Sequence, residues 1–378
     1  MKNKNIYLDN HSSTQIDERV YKQMIPFLTN VFGNPHSDSH SHGWTSNKFI
    51  DLSRSKIAKV INANKEEIFF TSGATESNNL VLKGLAFSQK KKNHIITCVT
   101  EHKCILESCN FLKEIGYKVT YLKVNKFGEL NLNDLKKKIN RNTFLVSIMH
   151  VNNEIGTIHP IKKIGEICKK RGIFFHTDAS QSLGKINFDV NYLNLDFASF
   201  SSHKIHGPQG IGCLFVKKRN DMKLTPLLSG GGQENGLRSG TLPTALCIGF
   251  GHAVELIENE RLKSGKKIKN LRNIFFKILE KNKVNYILNG RNTVDHNINI
   301  TFPYNKTEYL FSKINDISLS SGSACGSGSG EPSYVLKEIG LDKNKASSTL
   351  RIGIGKTNTE KEIKYCALKI SKILINLN

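Results

Sequence analysis

No run of apolar residues in this sequence is long enough to cross a bilayer. The opening M-K-N-K-N-I-Y-L-D-N has neither the apolar core of a signal peptide nor the arginine-rich character of a transit segment. The eight cysteines, at 98, 104, 109, 168, 213, 247, 325 and 366, form no C-x-x-C pair, and most sit in apolar segments such as I-G-C-L-F from residue 211. In a chain of 378 residues such scattered thiols argue against a disulfide framework and suit a reducing compartment. A cytoplasmic protein with no membrane association is expected. Internal repeats are absent, and the one Gly/Ser stretch is too short to be a linker. Acidic residues are scarce, 32 against 55 lysines and arginines, for a formal net charge of +23. That field favours acidic partners. The basic residues are nevertheless scattered in ones to threes with no aromatic interleaving, so direct nucleic-acid binding is not expected.

Three familiar signatures are missing as well. G-K-T at 355–357 would need its P-loop glycine at Leu350. The alternating glycines at 326–330 follow no strand of a dinucleotide-binding unit. His36, His40 and His42 share a loop at 32–43 with no cysteine or well-placed carboxylate, so no metal site is expected there.

What the chain does contain is alternation. Apolar runs at 68–71, 95–99, 119–124, 144–150, 173–176, 197–200 and 211–216 read as strands. Helical spacing falls at 17–29, with Asp17 as cap, and at 76–88, 105–115, 132–139 and 161–170. The pattern predicts an α/β protein with a mostly parallel central sheet covered by helices. Residues 244–281 keep helical spacing for too long to be one compact helix, and read as a bridge leaving the sheet domain. Beyond it, strands at 286–288, 298–302 and 350–354 and helices at 308–314, 334–339 and 360–377 predict a smaller α+β domain. The expected division is a large domain at 14–256 and a small one made of 1–13 with 257–378.

Ligand sites in parallel sheets lie beyond the strand ends, so the polar residues there carry the chemistry. In F-A-S-F-S-S-H-K-I-H-G-P-Q-G at 197–210, an apolar strand delivers Lys204 to its end and the chain turns away. Desolvation of such an amine favours the neutral nucleophile that Schiff-base chemistry needs. Ser72, Gly73, Ala74 and Thr75 lie between a strand and a helix, where backbone N–H groups can meet a phosphate or Thr75 can simply cap the helix. Asp178 and Gln181 in F-H-T-D-A-S-Q, His102 in T-E-H-K, and Asn152-Asn153-Glu154 follow other strands. A lysine, a carboxylate for a ring nitrogen and a phosphate-binding helix end are together what a pyridoxal phosphate site uses. Cys325, in G-S-A-C-G-S-G, is a thiol on mobile backbone and not a core residue.

With those residues in place, the chain resembles a group I cysteine desulfurase of the NifS/IscS type, a fold type I pyridoxal phosphate enzyme. The matching pieces run nearly end to end: Y-L-D-N at Tyr7, F-G-N-P at Phe32, T-S-G-A-T-E-S-N-N at Thr71, T-E-H-K at Thr100 and M-H-V-N-N-E-I-G at Met149. D-A-S-Q-S at Asp178, S-S-H-K at Ser201, G-L-R-S-G-T-L-P at Gly236, S-S-G-S-A-C at Ser320 and E-P-S-Y-V-L at Glu331 complete them. The resemblance implies that Lys204 carries the cofactor, that Asp178 faces its ring nitrogen and that Gln181 bonds its ring hydroxyl. By the same resemblance His102 stacks on the ring and moves protons, while Ala74, Thr75, Ser201 and His203 hold the phosphate. Thr241 would reach the phosphate of a neighbouring subunit, which implies a homodimer. Asn153 and Arg351 would hold the substrate L-cysteine, the guanidinium forking its carboxylate. Cys325 would take the sulfur as a persulfide, leaving alanine, and pass it to an iron–sulfur scaffold or a tRNA-thiolation carrier; it is the one residue expected to contact an iron–sulfur cluster, and then only in passing.

Ser202 replaces a glycine common in such proteins, and His206 and Gln209 replace a commoner Tyr and Lys. The chain ends at Asn378, straight after its last helix, so the further tail with which many members dock the scaffold is expected to be missing. An aminotransferase or selenocysteine lyase is the rival enzyme reading; an aminotransferase has no use for a mobile exposed thiol. A catalytically silent scaffold would not need Lys204, Asp178, His102 and Cys325 together.

Overall fold

The computed structural model describes residues 5–89, 91–303, 310, 313–320 and 333–376. Its centre is a seven-stranded sheet. The strands are β2 (Ile68–Thr71), β3 (His94–Cys98), β4 (Lys118–Leu122), β5 (Thr143–Ser147), β6 (Phe174–Asp178), β7 (Phe197–Ser201) and β8 (Gly212–Val216). They lie side by side in the order β2-β8-β7-β6-β5-β3-β4. Only β8 runs antiparallel to its neighbours. β3, β5 and β7 are buried on both faces, which is why they read as continuous apolar runs and not as alternating ones, whereas edge strand β4 is only partly covered.

Helices α3 (Ala74–Ser88), α4 (Lys103–Glu114), α5 (Leu132–Lys138) and α6 (Ile161–Arg171) follow β2, β3, β4 and β5 respectively. Parallel strands require such crossovers, and each crossover returns the next strand to the same end of the sheet. The C-terminal ends of β2, β3, β5, β6 and β7 therefore share one rim.

Two helices precede the sheet. In α1 (Glu18–Thr29) Asp17 caps the first turn through Arg19 N, as expected. Helix α2 (Ser41–Ile61) has no counterpart among the sequence expectations. Its inward face is Gly43, Ser46, Ser53 and Ala58 beside Ile50 and Ile57, whereas Trp44 and Leu52 are exposed, so it carries no clean apolar stripe. His40, one of the three clustered histidines, caps this helix by accepting from Gly43 N.

Residues 244–281 correct a second expectation: α7 (Thr244–Lys281) is one continuous helix of 38 residues. It survives that length because its two halves serve different apolar clusters. Phe250, Val254 and Ile257 pack under the sheet, while Ile268, Leu271 and Phe275 pack with Leu8, Ile300, Ile352 and Ile370. The second cluster belongs to the antiparallel strands β9 (Ile287–Leu288), β10 (Asn297–Thr301) and β12 (Thr349–Gly353), the helix Glu360–Ile375, and β1 (Ile6–Tyr7) paired with β11 (Ile317–Ser318). A short helix at Lys343–Ser347 was not expected from sequence, and one at Tyr334–Glu338 was. The helix expected at 308–314 lies mostly outside the described residues, and so does the Gly/Ser loop with Cys325. No described helix is long and apolar enough to cross a membrane.

Candidate active site

At the rim, the loop after β2 turns through Gly73, whose φ of 156° is accessible to glycine. Helix α3 starts immediately after it at Ala74, two residues earlier than expected, and Gly73 takes the cap position, so Thr75 is the second residue of the helix and not its cap. Because Gly73 has no side chain to satisfy them, the first N–H groups of α3 are left for a ligand. Gly212 brings that helix end close to the lysine strand. It pairs with Thr71 on one side and Ser201 on the other. A Cβ there would sit 2.4 Å from Phe200 O and 2.7 Å from Gly73 Cα. Bare backbone at this point lets the phosphate-type loop lean over the end of β7.

Lys204 follows β7 at the end of a 3₁₀ turn (Ser202–Lys204), and Nζ donates to the carbonyls of His11 and Ser12, each at 2.7 Å. Asp178 is the last residue of β6 and pairs with Ser199 on β7, so the carboxylate belongs to the strand itself and does not lie just past it. Its Oδ2 accepts from Asn78 Nδ2 at 2.7 Å and its Oδ1 from Ser180 N at 2.9 Å. Gln181, on the turn after β6, donates from Nε2 to His11 O at 3.0 Å.

His102 caps α4, its Nδ1 accepting from Cys104 N at 3.2 Å, with Cys104 Sγ at 3.1 Å from the same nitrogen. The ring is therefore fixed as a neutral Nδ1 acceptor in this state. Burial holds its pKa below the usual histidine value; Asp178 opposes that, and Lys204 and Lys103 add to it. Burial also pushes His203 down to about 4, helped by the Lys204 and Lys185 charges. The Cys104 thiol is pushed up to about 12 by burial and by Asp178, so it keeps its proton.

Arg351 comes from β12, across the cavity. Its Nη2 donates to Asp9 Oδ1 at 2.9 Å and Ser12 Oγ at 2.7 Å, and its Nη1 to Asn153 O at 3.1 Å. The buried Nε and the buried Asn153 Oδ1 have no partner among the described residues. Two such groups, one donor and one acceptor, suit an amino acid with its own carboxylate and amine.

All of this surrounds one cavity of about 490 Å³. Its walls include Ala74, Thr75, His102, Asn153, Asp178, Gln181, Ser201, His203, Lys204 and Arg351, ten of the expected site residues. Thr241 is exposed and does not line it. Cys325 lies outside the described residues. The donor set fits pyridoxal phosphate: a helix N-terminus with Ser201 and His203 for a dianion, a carboxylate for a ring nitrogen, and an amine for a carbonyl. Sequence reasoning missed His11, Ser12, Asn78, Cys104, Lys185 and Tyr334. Cys104 directly follows the T-E-H-K motif, but nothing in the sequence says that its sulfur meets His102. His11 and Ser12 follow Y-L-D-N and touch Lys204 because the chain just after them is tied to the lysine loop, Thr14 N and Oγ1 both donating to His203 O.

The chain matches the family model "Aminotransferase class-V" over residues 6–366. It is 50% identical over 363 residues to a "Probable cysteine desulfurase, mitochondrial" of Dictyostelium discoideum, covering 95% of this chain and 81% of that one. To the "Cysteine desulfurase IscS" of Rickettsia rickettsii (strain Iowa) it is 48% identical over 372 residues, 97% of this chain and 91% of that one. Among solved structures it superposes on a "NIFS-LIKE PROTEIN" with a TM-score of 0.91 at 37% identity, covering 98% of this chain and 100% of the other. A structure of "SspA in complex with cysteine" matches at a TM-score of 0.85 and 40% identity, covering 94% of this chain and 100% of that one. The fold is that of the fold type I pyridoxal phosphate enzymes, as the resemblance implied, and its mostly parallel sheet is the one the alternation of strands and helices predicted. The chain belongs to the class-V aminotransferase family and, within it, to the pyridoxal phosphate-dependent cysteine desulfurases of the IscS/NifS type.

Proposed function

We propose that this protein takes sulfur from L-cysteine, releasing L-alanine and leaving a persulfide on Cys325 for transfer to an acceptor protein. The observation that carries the reading is the convergence of Lys204, Asp178, His102 and Arg351, from four different segments, on one cavity. Pyridoxal phosphate, when bound, supplies a carbonyl for the amino group and an electron sink for bond breaking. The chain's own residues do the rest. The α3 N-terminus, Ser201 and His203 would hold its phosphate, and Asp178, steadied by Asn78 and Ser180, would keep its ring nitrogen protonated. Arg351, with Asn153, orients the substrate by its carboxylate. His102 and Lys204 exchange protons with the substrate carbons.

The Cys325 thiolate then attacks the substrate sulfur. The new S–S bond forms as the C–S bond breaks, and the carbon left behind takes up a proton to become alanine. Ser320 is bridged to Arg351 and Tyr334 lines the cavity, so the segment bearing Cys325 leaves and rejoins the described chain at the site.

The acceptor is an iron–sulfur scaffold or a tRNA-thiolation carrier, and the compartment is the cytoplasm; the seven described cysteines, all free thiols, support a reducing one. The active unit is a homodimer in which exposed Thr241 serves the neighbouring cavity. The deciding experiment gives purified protein L-cysteine and a reductant and measures alanine and sulfide. Both are expected, with sulfide lost and the yellow colour retained in Cys325→Ala. Unchanged sulfide output in that variant removes Cys325 from the reaction.

A further inference from the structure

Behind Lys204 lies a second, half-buried lysine that the reaction does not use. Lys185, four residues beyond Gln181, donates from Nζ to Gln181 Oε1. The same oxygen is 2.9 Å from His11 Nδ1, while Gln181 Nε2 donates to His11 O at 3.0 Å. Lys204 donates to that carbonyl too. Lys185, Gln181 and the His11 carbonyl therefore form a chain of hydrogen bonds ending at Lys204.

This chain leaves the Gln181 amide one orientation. A backbone carbonyl can only accept, so the amide nitrogen must face His11 O, and the oxygen must then face Lys185. His11 agrees with that assignment. With Nδ1 carrying the proton toward Gln181, its Nε2 is an acceptor, and that atom is buried without a partner. One Gln181 N–H is thus used inside the protein, and the second is left for the cavity that the residue lines.

Among the described residues, no carboxylate answers the charge of Lys185. The groups facing it are Lys204, Arg351, His11, His203, His206 and His296. Burial, with the Lys204 and Arg351 charges, holds its amine down to about 7. Together with His11, His206 and His296 it lines a small cavity of about 20 Å³ behind Lys204. An amine without a counter-ion is costly away from water, and its one hydrogen bond among the described residues is to the Gln181 amide.

We propose that Lys185 is a positioning residue: with His11 it pins the Gln181 amide so that an Nε2–H donor faces the ring oxygen of the cofactor. The proposal rests on the reading of the cavity as a pyridoxal phosphate site. A donor held at that oxygen favours its anionic form.

The test compares cofactor-loaded wild type with Lys185→Met, Lys185→Gln, Gln181→Met and the Lys185→Met/Gln181→Met double variant. The readouts are the pH midpoint of the bound cofactor's absorbance and the dissociation constant for pyridoxal 5′-phosphate. Lys185→Met should raise the midpoint by about one pH unit and weaken binding about tenfold, the size of one hydrogen bond to a charged oxygen. Lys185→Gln, which keeps an N–H donor, should stay closer to wild type than Lys185→Met. The double variant should shift no further than Gln181→Met alone, because Lys185 acts through that amide. An unmoved midpoint in Lys185→Met, or additive shifts in the double variant, overturns the proposal. Should Lys185→Met not fold, Gln181→Glu decides: it keeps the acceptor for Lys185 but loses the donor, so an unmoved midpoint again overturns it. A wild type that shows no cofactor absorbance at all overturns the reading of the cavity, a result distinct from a normal band that Lys185→Met fails to move.

Discussion

Arg351 is the largest fully buried side chain among the described residues, and it serves both stability and specificity. Asp9 compensates its charge, and the Ser12 hydroxyl and Asn153 carbonyl fix its plane, so the free Nε–H points without torsional freedom. Lysine at this position would keep the charge and lose the fork. Arg351→Lys is therefore expected to raise KM for L-cysteine on the order of tenfold to a hundredfold, the worth of one charged hydrogen bond. Cofactor retention should be unchanged, as steady-state kinetics beside the absorbance spectrum would check. Lys204, Asp178 and His102 were legible because each is a polar residue closing an apolar strand. Asn78 and His11 were not: Asn78 lies mid-helix and His11 lies 193 residues before Lys204, and no local pattern marks either.

Among elements, α1 is anchored by charge. Asp17 caps it and also binds Arg19 and Lys356, the latter at 2.7 Å. Those partners hold the carboxyl well below the usual aspartate range, the Arg19 bonds contributing most. A folded-state value below the unfolded one stabilises the protein above the unfolded pKa of about 4 and is lost as pH falls below it. Asp17→Asn keeps the cap and removes the charge. It is expected to cost about 1 kcal/mol at pH 7, a deficit that shrinks as the pH drops below about 4, measured by denaturant unfolding across pH.

Helices α2 and α7 meet at Gly251, where a Cβ would lie 2.7 Å from Ser53 Cα. Alanine would gain about 1 kcal/mol of helix propensity. The clash is with backbone, so separating the two helices should outweigh that gain, and Gly251→Ala is expected to lower stability by about 1–3 kcal/mol in chemical denaturation. This contact also explains why α2 escaped sequence reading: close helix approach selects small inward residues and erases the apolar stripe.

At the scale of the whole molecule, α1, α2 and the loop between them present apolar side chains that the described residues leave exposed. Leu28, Phe32 and Trp44 are 61%, 73% and 58% exposed, and Phe27 and Phe49 join the two helices at 4.8 Å between ring centroids. The proposed homodimer would bury such a surface. Light scattering should give twice the 42.4 kDa chain mass for the wild type and the single mass for a Trp44→Arg/Leu52→Asp variant. The monomer should also release pyridoxal phosphate more readily, because Thr241 no longer reaches a neighbour; retention equal to the dimer's would contradict that role.

By itself the sequence determined the layered α/β architecture, the strand ends that carry chemistry, and the family. These follow from local signals: runs of apolar residues, the helical period, and ordered motifs. Only the tertiary structure decided that α7 is unbroken, that Gly212 makes room for the α3 terminus, and that His11 joins the cavity wall with Asn78 and Lys185 behind it. Those features depend on which distant segments pack together, and packing distance is written nowhere in the order of residues along the chain.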